Sequence, residues 1–244
     1  AAFAGTVTEH TGTVTLTADE AAATELSAIA AATSGNIDAS GVTTITGTST
    51  QIMAAHNDAE LDEIDTDFAA TVTGTAAATD LSAIALATSG NIDASGVTTI
   101  TGTSTQIMAA HNDAELDEID TDFAATVTGT AVATELSAIA AATSGMITTT
   151  NVTGITGSST EIISALMNNE ITLDDDYTID ATGTTSVAHA NIFDSATTGV
   201  VTANITDTAE NLADLTGTTG AYTVTLTAGE AAATLAELVA INAA

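Results

Sequence analysis

The sequence predicts a parallel β-solenoid, right-handed, with short helical segments in its coils and one repeat domain over residues 1–244. Three observations predict it. Residues 36–90 recur as 91–145 with three changes, Ala77/Val132, Asp80/Glu135 and Leu86/Ala141. Within that unit, "ITGT" or "VTGT" recurs at Ile45, Val72, Ile100, Val127 and Ile155, at steps of 27, 28, 27 and 28. Each phrase sits in a stretch that alternates apolar and hydroxylated residues, the period of a half-buried strand. Fainter echoes, "VTLT" at Val14, "ATGT" at Ala181, "ITDT" at Ile205 and "VTLT" at Val224, extend the count to about nine coils of roughly 26 residues. Residues 36–90 and 91–145 are then double-coil units, and 146–244 hold divergent coils.

Each coil reads in the same order. "NIDAS" from Asn36 is a first short strand that turns at Gly41, and "VTTITGT" from Val42 is a second. "STQIMAAHNDAEL" from Ser49 opens on hydroxyl residues suited to an N-cap, and "SSTE" from Ser158 has capping-box spacing. "AAATDLSAIALA" from Ala76 is a second, alanine-rich helix with Leu81 and Ile84 on one face. The glycines of the Ser-Gly pairs, Gly35, Gly90 and Gly145, read as its C-caps. Strand, helical crossover and parallel strand at constant length stack as a solenoid. Strands repeat every ~4.8 Å and helices every ~8–10 Å, so the helices must be short or alternate in position.

Stacking turns sequence period into columns of side chains. With Ile45 facing the core, Thr44, Thr46 and Thr48 point outward, followed by Thr71, Thr73 and Thr75, then Thr99, Thr101 and Thr103, then Thr126, Thr128 and Thr130. Thr13, Thr15 and Thr17 and Thr223, Thr225 and Thr227 repeat the pattern near the ends. Such a Thr-x-Thr face suits ice binding; it equally suits a soluble strand whose last threonine caps the next helix. Aligning Ile37, Ile64, Ile92, Ile119 and Ile147 stacks Asp38, Asp65, Asp93 and Asp120, with Asp67 and Asp122 two residues on. Carboxylates about 5 Å apart repel by on the order of 1 kcal/mol per pair in water. The column therefore carries raised pKa values, or holds hard cations such as calcium, or lies solvated in a corner. These six aspartates are the candidate metal ligands. The run Asp174–Asp176 fits either account, and no EF-hand loop or glycine-rich nonapeptide accompanies them.

Composition narrows the function classes. The chain has no Lys or Arg, 32 acidic residues, a formal charge of −32, no Cys, Pro or Trp, and 45% hydrophobic residues. Without a fixed cation, a nucleic-acid backbone is not a partner and anionic membranes are disfavoured. No apolar run is long enough to span a bilayer. The β-branched and aliphatic content supports a core, against disorder. The start at Ala1, without Met or a signal pattern, reads as a mature form or an excerpt, and the small apolar ends, Ala1–Phe3 and Ala243–Ala244, read as uncapped. Four histidines, His10, His56, His111 and His189, form no cluster in sequence, and no serine lies in a nucleophile-elbow pattern. The reading is therefore not an enzyme.

The phrases "LSAIAAATSGNIDASGVTTITGT" from Leu26 and "VTANITDTAENLADLTGTTGAYTVTLTAGEAAATLAEL" from Val201 resemble the tandem β-strand repeats of very large acidic, Thr- and Ala-rich surface proteins of cyanobacteria and other Gram-negative bacteria. That resemblance implies secretion and a role as surface layer, filament or adhesin stalk strengthened by calcium. The expectation is an extracellular, cell-surface structural protein whose partners are copies of itself and divalent cations. The alternatives are a stalk or spacer repeat of a larger type I secreted protein, and an ice-binding protein.

Overall fold

The structure, a computed structural model, describes residues 11–58, 61, 64–117, 119–216 and 220–227. His10 and the terminal apolar residues lie outside the described residues. In chain order the elements are β1 (Val14–Thr15), β2 (Glu20–Ala22), α1 (Ala23–Ala30), β3 (Ile37–Asp38), β4 (Thr44–Gly47), α2 (Ser49–His56), β5 (Ala69–Ala77) and α3 (Ala78–Ala87). There follow β6 (Ile92–Gly102), α4 (Ser104–His111), β7 (Leu116–Asp117), β8 (Ala124–Val132), α5 (Ala133–Ala142), β9 (Ile147–Ser158) and α6 (Ser159–Leu166). The last are β10 (Thr178–Thr185), α7 (Val187–Ala196), β11 (Val201–Asp207), α8 (Ala209–Leu212) and β12 (Gly220–Leu226). Contacts divide them into two compact units, the first mainly before Ala125 and the second mainly from Thr126 onward.

In the first unit the parallel order is β2-β4-β5-β6, with β7 also on β6, and β1 pairs with β3 in a separate two-stranded ladder. In the second unit the parallel order is β8-β9-β10-β11-β12. Within the first unit α1 packs on α2 and α2 on α3; within the second α5 packs on α6 and α6 on α7. Strand order that follows chain order, with neighbouring helices in contact, puts the helices on one face of each sheet. No helix among the described residues is long and apolar enough to cross a membrane.

This is an α/β fold, an open parallel sheet alternating with helices, and it corrects the expected parallel β-solenoid. The physical reason lies at the glycine read as a coil corner. In the second copy "IDASGVTTITG" is one continuous strand, β6, in which Gly96 pairs with Thr73 across a register shift. The corresponding residues of the next unit form the twelve-residue β9. A glycine absorbed into a bulge bends a strand without ending it, so no second wall forms. Only in the first copy do the same residues stay split, as β3 and β4, because they pair with two separate short strands, β1 and β2.

The cores are aliphatic. Ile45, Ala70, Ile92 and Leu116 form one row across β4, β5, β6 and β7, all buried. Helices start where the alternation stops. Ser158 caps α6 with Glu161 in the capping box its spacing implied; α2 is capped one residue before Ser49, by Thr48 with Gln51, in a second capping box. The C-cap expectation is corrected: α3 ends on Thr88 in extended conformation, not on a left-handed Gly90.

Left-handed backbone occurs instead inside strands, at Gly74 (φ +74°), Gly129 (φ +70°) and Gly183 (φ +76°). Gly74 and Gly183 lie where β5 and β10 slip register against β6 and β11. A Cβ at Gly183 would meet nothing within 4 Å. Gly183→Ala is therefore expected to cost about 1–2 kcal/mol through backbone conformation alone, and Gly183→Asn clearly less. Urea midpoints of the two variants check this; an alanine variant as stable as the parent contradicts it.

Candidate functional site

The six candidate aspartates fall into two settings. Asp38 and Asp93 occupy equivalent places in β3 and β6, and each closes on the serine two residues later. Ser40 Oγ donates to Asp38 Oδ1 at 2.6 Å and its backbone N–H at 3.2 Å; Ser95 repeats this on Asp93 at 2.6 and 3.0 Å. These serine hydroxyl and amide bonds hold both carboxyls below the ordinary aspartate value. Asp65 and Asp67, and Asp120 and Asp122, are exposed in the turns before β5 and β8. Asp65 O there accepts the Phe68 N–H at 3.3 Å, as Asp120 O accepts that of Phe123 at 3.4 Å.

The expected aspartate file is thus not assembled. Asp93 stands opposite Thr71 on one side and Asp117 on the other, and Asp38 stands opposite Thr15. The cause is register. The expected offset was 27 to 28 residues, whereas Thr46 pairs with Thr71 and Ala70 with Ile92, offsets of 25 and 22. Among the described residues no group of three or more His, Asp or Glu is placed to hold a metal ion.

The same register interrupts the threonine face. Thr46 is followed by Thr71 and then Asp93, and Thr73 by Gly96. The outward parity itself is as read: Thr44, Thr46, Thr71 and Thr73 are all at least partly exposed, while Ile45 and Val72 are buried. His56 and His111 are half-buried against Phe68 and Phe123, with ring centroids 5.7 and 5.8 Å apart, and His189 lies 6.5 Å from Phe193.

The most repeated polar device escaped the sequence reading. Thr88, buried after α3, donates its hydroxyl to Phe68 O and accepts the Gly90 N–H at 2.9 Å, while the Ser89 N–H donates to Thr66 O at 2.8 Å. Thr143, Ser144 and Gly145 do the same on Phe123 and Thr121. Thr197, Thr198 and Gly199 do it on Tyr177 and Asp175. The glycine is needed for close approach, since a Cβ on Gly90 would sit 2.3 Å from Phe68 O. The triplets "TSG" and "TTG" carried this signal, but the paired carbonyl lies 20 residues earlier and has no side-chain signature.

A second clasp ties helices to the next strand. Ser49 Oγ, fully buried, accepts the Ala77 N–H at 3.2 Å, and Ser104 Oγ accepts that of Val132 at 3.0 Å. Thr50 donates to Asp80 and Thr105 to Glu135, both at 2.7 Å. In the second unit a cleft of about 360 Å³ is lined by Ser186, Asn191, Asp207, Asn211 and Asp214. Its polar groups bind one another: Asn211 Nδ2 donates to Asp207 Oδ1 at 2.6 Å, and Asn191 bridges Asp214 O and the Thr216 N–H. No protein-family model, curated protein or solved structure matches the chain.

Burial, reinforced by the nearby Asp175 charge, pushes the Tyr177 phenol up to about 12. Burial and the hydrogen bond it donates to Asp194 push Tyr222 up as well. With no Lys, Arg or Cys and only two tyrosines, alkaline titration of side chains reports on these phenols alone. Their pKa values are raised on folding, so the stabilisation is complete below the unfolded value near 10 and is lost as pH rises toward about 12. Tyr177→Phe is expected to flatten part of that fall, measured by urea unfolding at several alkaline pH values; an unchanged profile contradicts the assignment.

Proposed function

We propose that the protein is an extracellular structural protein that associates with copies of itself into a filament or surface layer, with divalent cations making that association possible. One observation carries the reading: beyond its first strands, a duplicated sequence forms a duplicated structural increment. Elements α2 and α4, β5 and β8, and α3 and α5 are each 55 residues apart and have equal lengths. The clasp of Thr88 on Phe68 recurs as that of Thr143 on Phe123. The buried hydroxyls of Thr88 and Thr143, and of Ser49 and Ser104, tie segments 20 to 28 residues apart, and they come in copies. A catalytic centre gains nothing from such copying, whereas an object whose length matters does.

The charge sets the condition. Copies carrying −32 each repel over a Debye length of about 10 Å at 0.1 M salt. The exposed pairs Asp65 with Asp67 and Asp120 with Asp122 offer carboxylate oxygens of the kind calcium prefers. Cations there bridge or screen between copies and require no closed cage within one chain. The resemblance of residues 26–48 and 201–238 to acidic bacterial surface repeats agrees with this role.

Sedimentation velocity and electron microscopy of the full chain test it. Monomers are expected in chelator at low salt and growing assemblies on addition of millimolar calcium. A monodisperse monomer under every ionic condition contradicts the proposal.

A further inference from the structure

The first and last strands of the described chain are written with the same residues. "VTLTADEAAAT" from Val14 and "VTLTAGEAAAT" from Val224 differ only at Asp19 against Gly229. Yet the two segments use opposite edges. In β1 the Val14 and Leu16 N–H groups donate to Asn36 O and Asp38 O of the β3 region, both at 2.9 Å. Directly after β12 the Thr227 N–H donates to Asp207 O on β11 at 3.0 Å. Backbone groups of successive strand residues point to alternate sides, so Thr223, Thr225 and Thr227 face β11. Val224 and Leu226, the counterparts of Val14 and Leu16, face the other way, and β12 has no second partner among the described residues.

We propose that β12 of one copy replaces β1 on the β3 strand of a second copy, so that Val224 stands opposite Ile37 and Thr225 opposite Asp38 of the partner subunit. This deepens the self-association reading and rests on it. The donor offers the same side chains and amide groups that β3 already accepts from β1. The resident strand is weakly held: it pairs through two residues, Val14 is half-exposed and Thr15 exposed. Beside it lies a cleft of about 270 Å³ lined by Val14, Leu16, Leu26, Ile29 and Val42. Leu226, by contrast, leaves 47% of its surface in solvent on β12. Exchange seats it in the place of Leu16. Exchanging one element for an identical one changes few contacts within the folded chain, which makes it a low-cost route to association. Because donor and acceptor are different surfaces, the contact is head-to-tail and extends without closing.

The chain has no cysteine, so single introduced thiols report the contact. Full-length Thr225→Cys and Asp38→Cys proteins are mixed in calcium and oxidised. The expected product is the mixed disulfide, well above either same-variant product. Adding Val224→Pro to the donor removes the outward amide without touching those facing β11. It is expected to lower the yield by about tenfold, with the circular dichroism unchanged. Adding Val14→Pro to the acceptor loosens β1 and is expected to raise the yield. Association without the mixed disulfide, or a yield insensitive to both prolines, overturns strand exchange and leaves the self-association reading standing. A chain that never associates overturns both.

Discussion

Everything in this protein depends on parallel backbone pairing between strands that follow one another in the chain. Aromatic residues make up 2% of the sequence, so large side chains cannot dominate the packing. The ladder fixes neighbouring strands about 4.8 Å apart, while each strand leads into a helix that prefers about 8–10 Å. Alanine eases that conflict. Ala23 and Ala30 of α1, Ala55 of α2 and Ala78 of α3 are buried, so these helices present thin faces to their surroundings. Buried hydroxyls then fasten each rung: Thr88 and Thr143 at one end of a strand, Ser49 and Ser104 at the other.

Face and helix starts were legible in the sequence; helix ends, the glycine corners and partnership were not. Period-2 alternation placed Ile45 inward and Thr44 and Thr46 outward, and the structure agrees. The spacing from Ser158 to Glu161 announced a capping box that forms. Register was beyond reach because strand pairing follows where each strand starts after its turn, and backbone irregularities near Gly74 and Gly183 shift it further along β5 and β10. Asp65 and Asp120 lie in the turns before β5 and β8, so Asp93 faces Thr71 and Asp117 instead. The solenoid expectation failed at the same kind of place, since Gly96 bends a continuous strand where a corner was expected. The segment from Ile37 to Gly47 is two strands and its verbatim copy is one, so its neighbours and not its letters decide the outcome. The clasp threonines were visible as triplets, but their acceptors are carbonyl groups, which any residue supplies.

These features bear on function through one property, the interchangeability of rungs. Strands β5 and β8 differ only at Ala77 and Val132. Either can therefore offer its following edge to the same successor, β6 or β9. A fold with such edges tolerates duplication, and an acidic chain without fixed cations needs counterions before copies can approach. Structural increments and ion-dependent association belong together on this account.

The most direct measurement is calorimetry on a chain lacking residues 91–145, which joins Gly90 to Met146 and sets β9 after β5. If the rungs are interchangeable, the shortened protein folds with similar circular dichroism per residue. Its unfolding enthalpy then falls by about 40 kcal/mol, the share of some 55 residues at ~0.7 kcal/mol each. A shortened chain that fails to fold, or that loses its cooperative transition, would contradict the claim that each copied segment is an exchangeable structural unit.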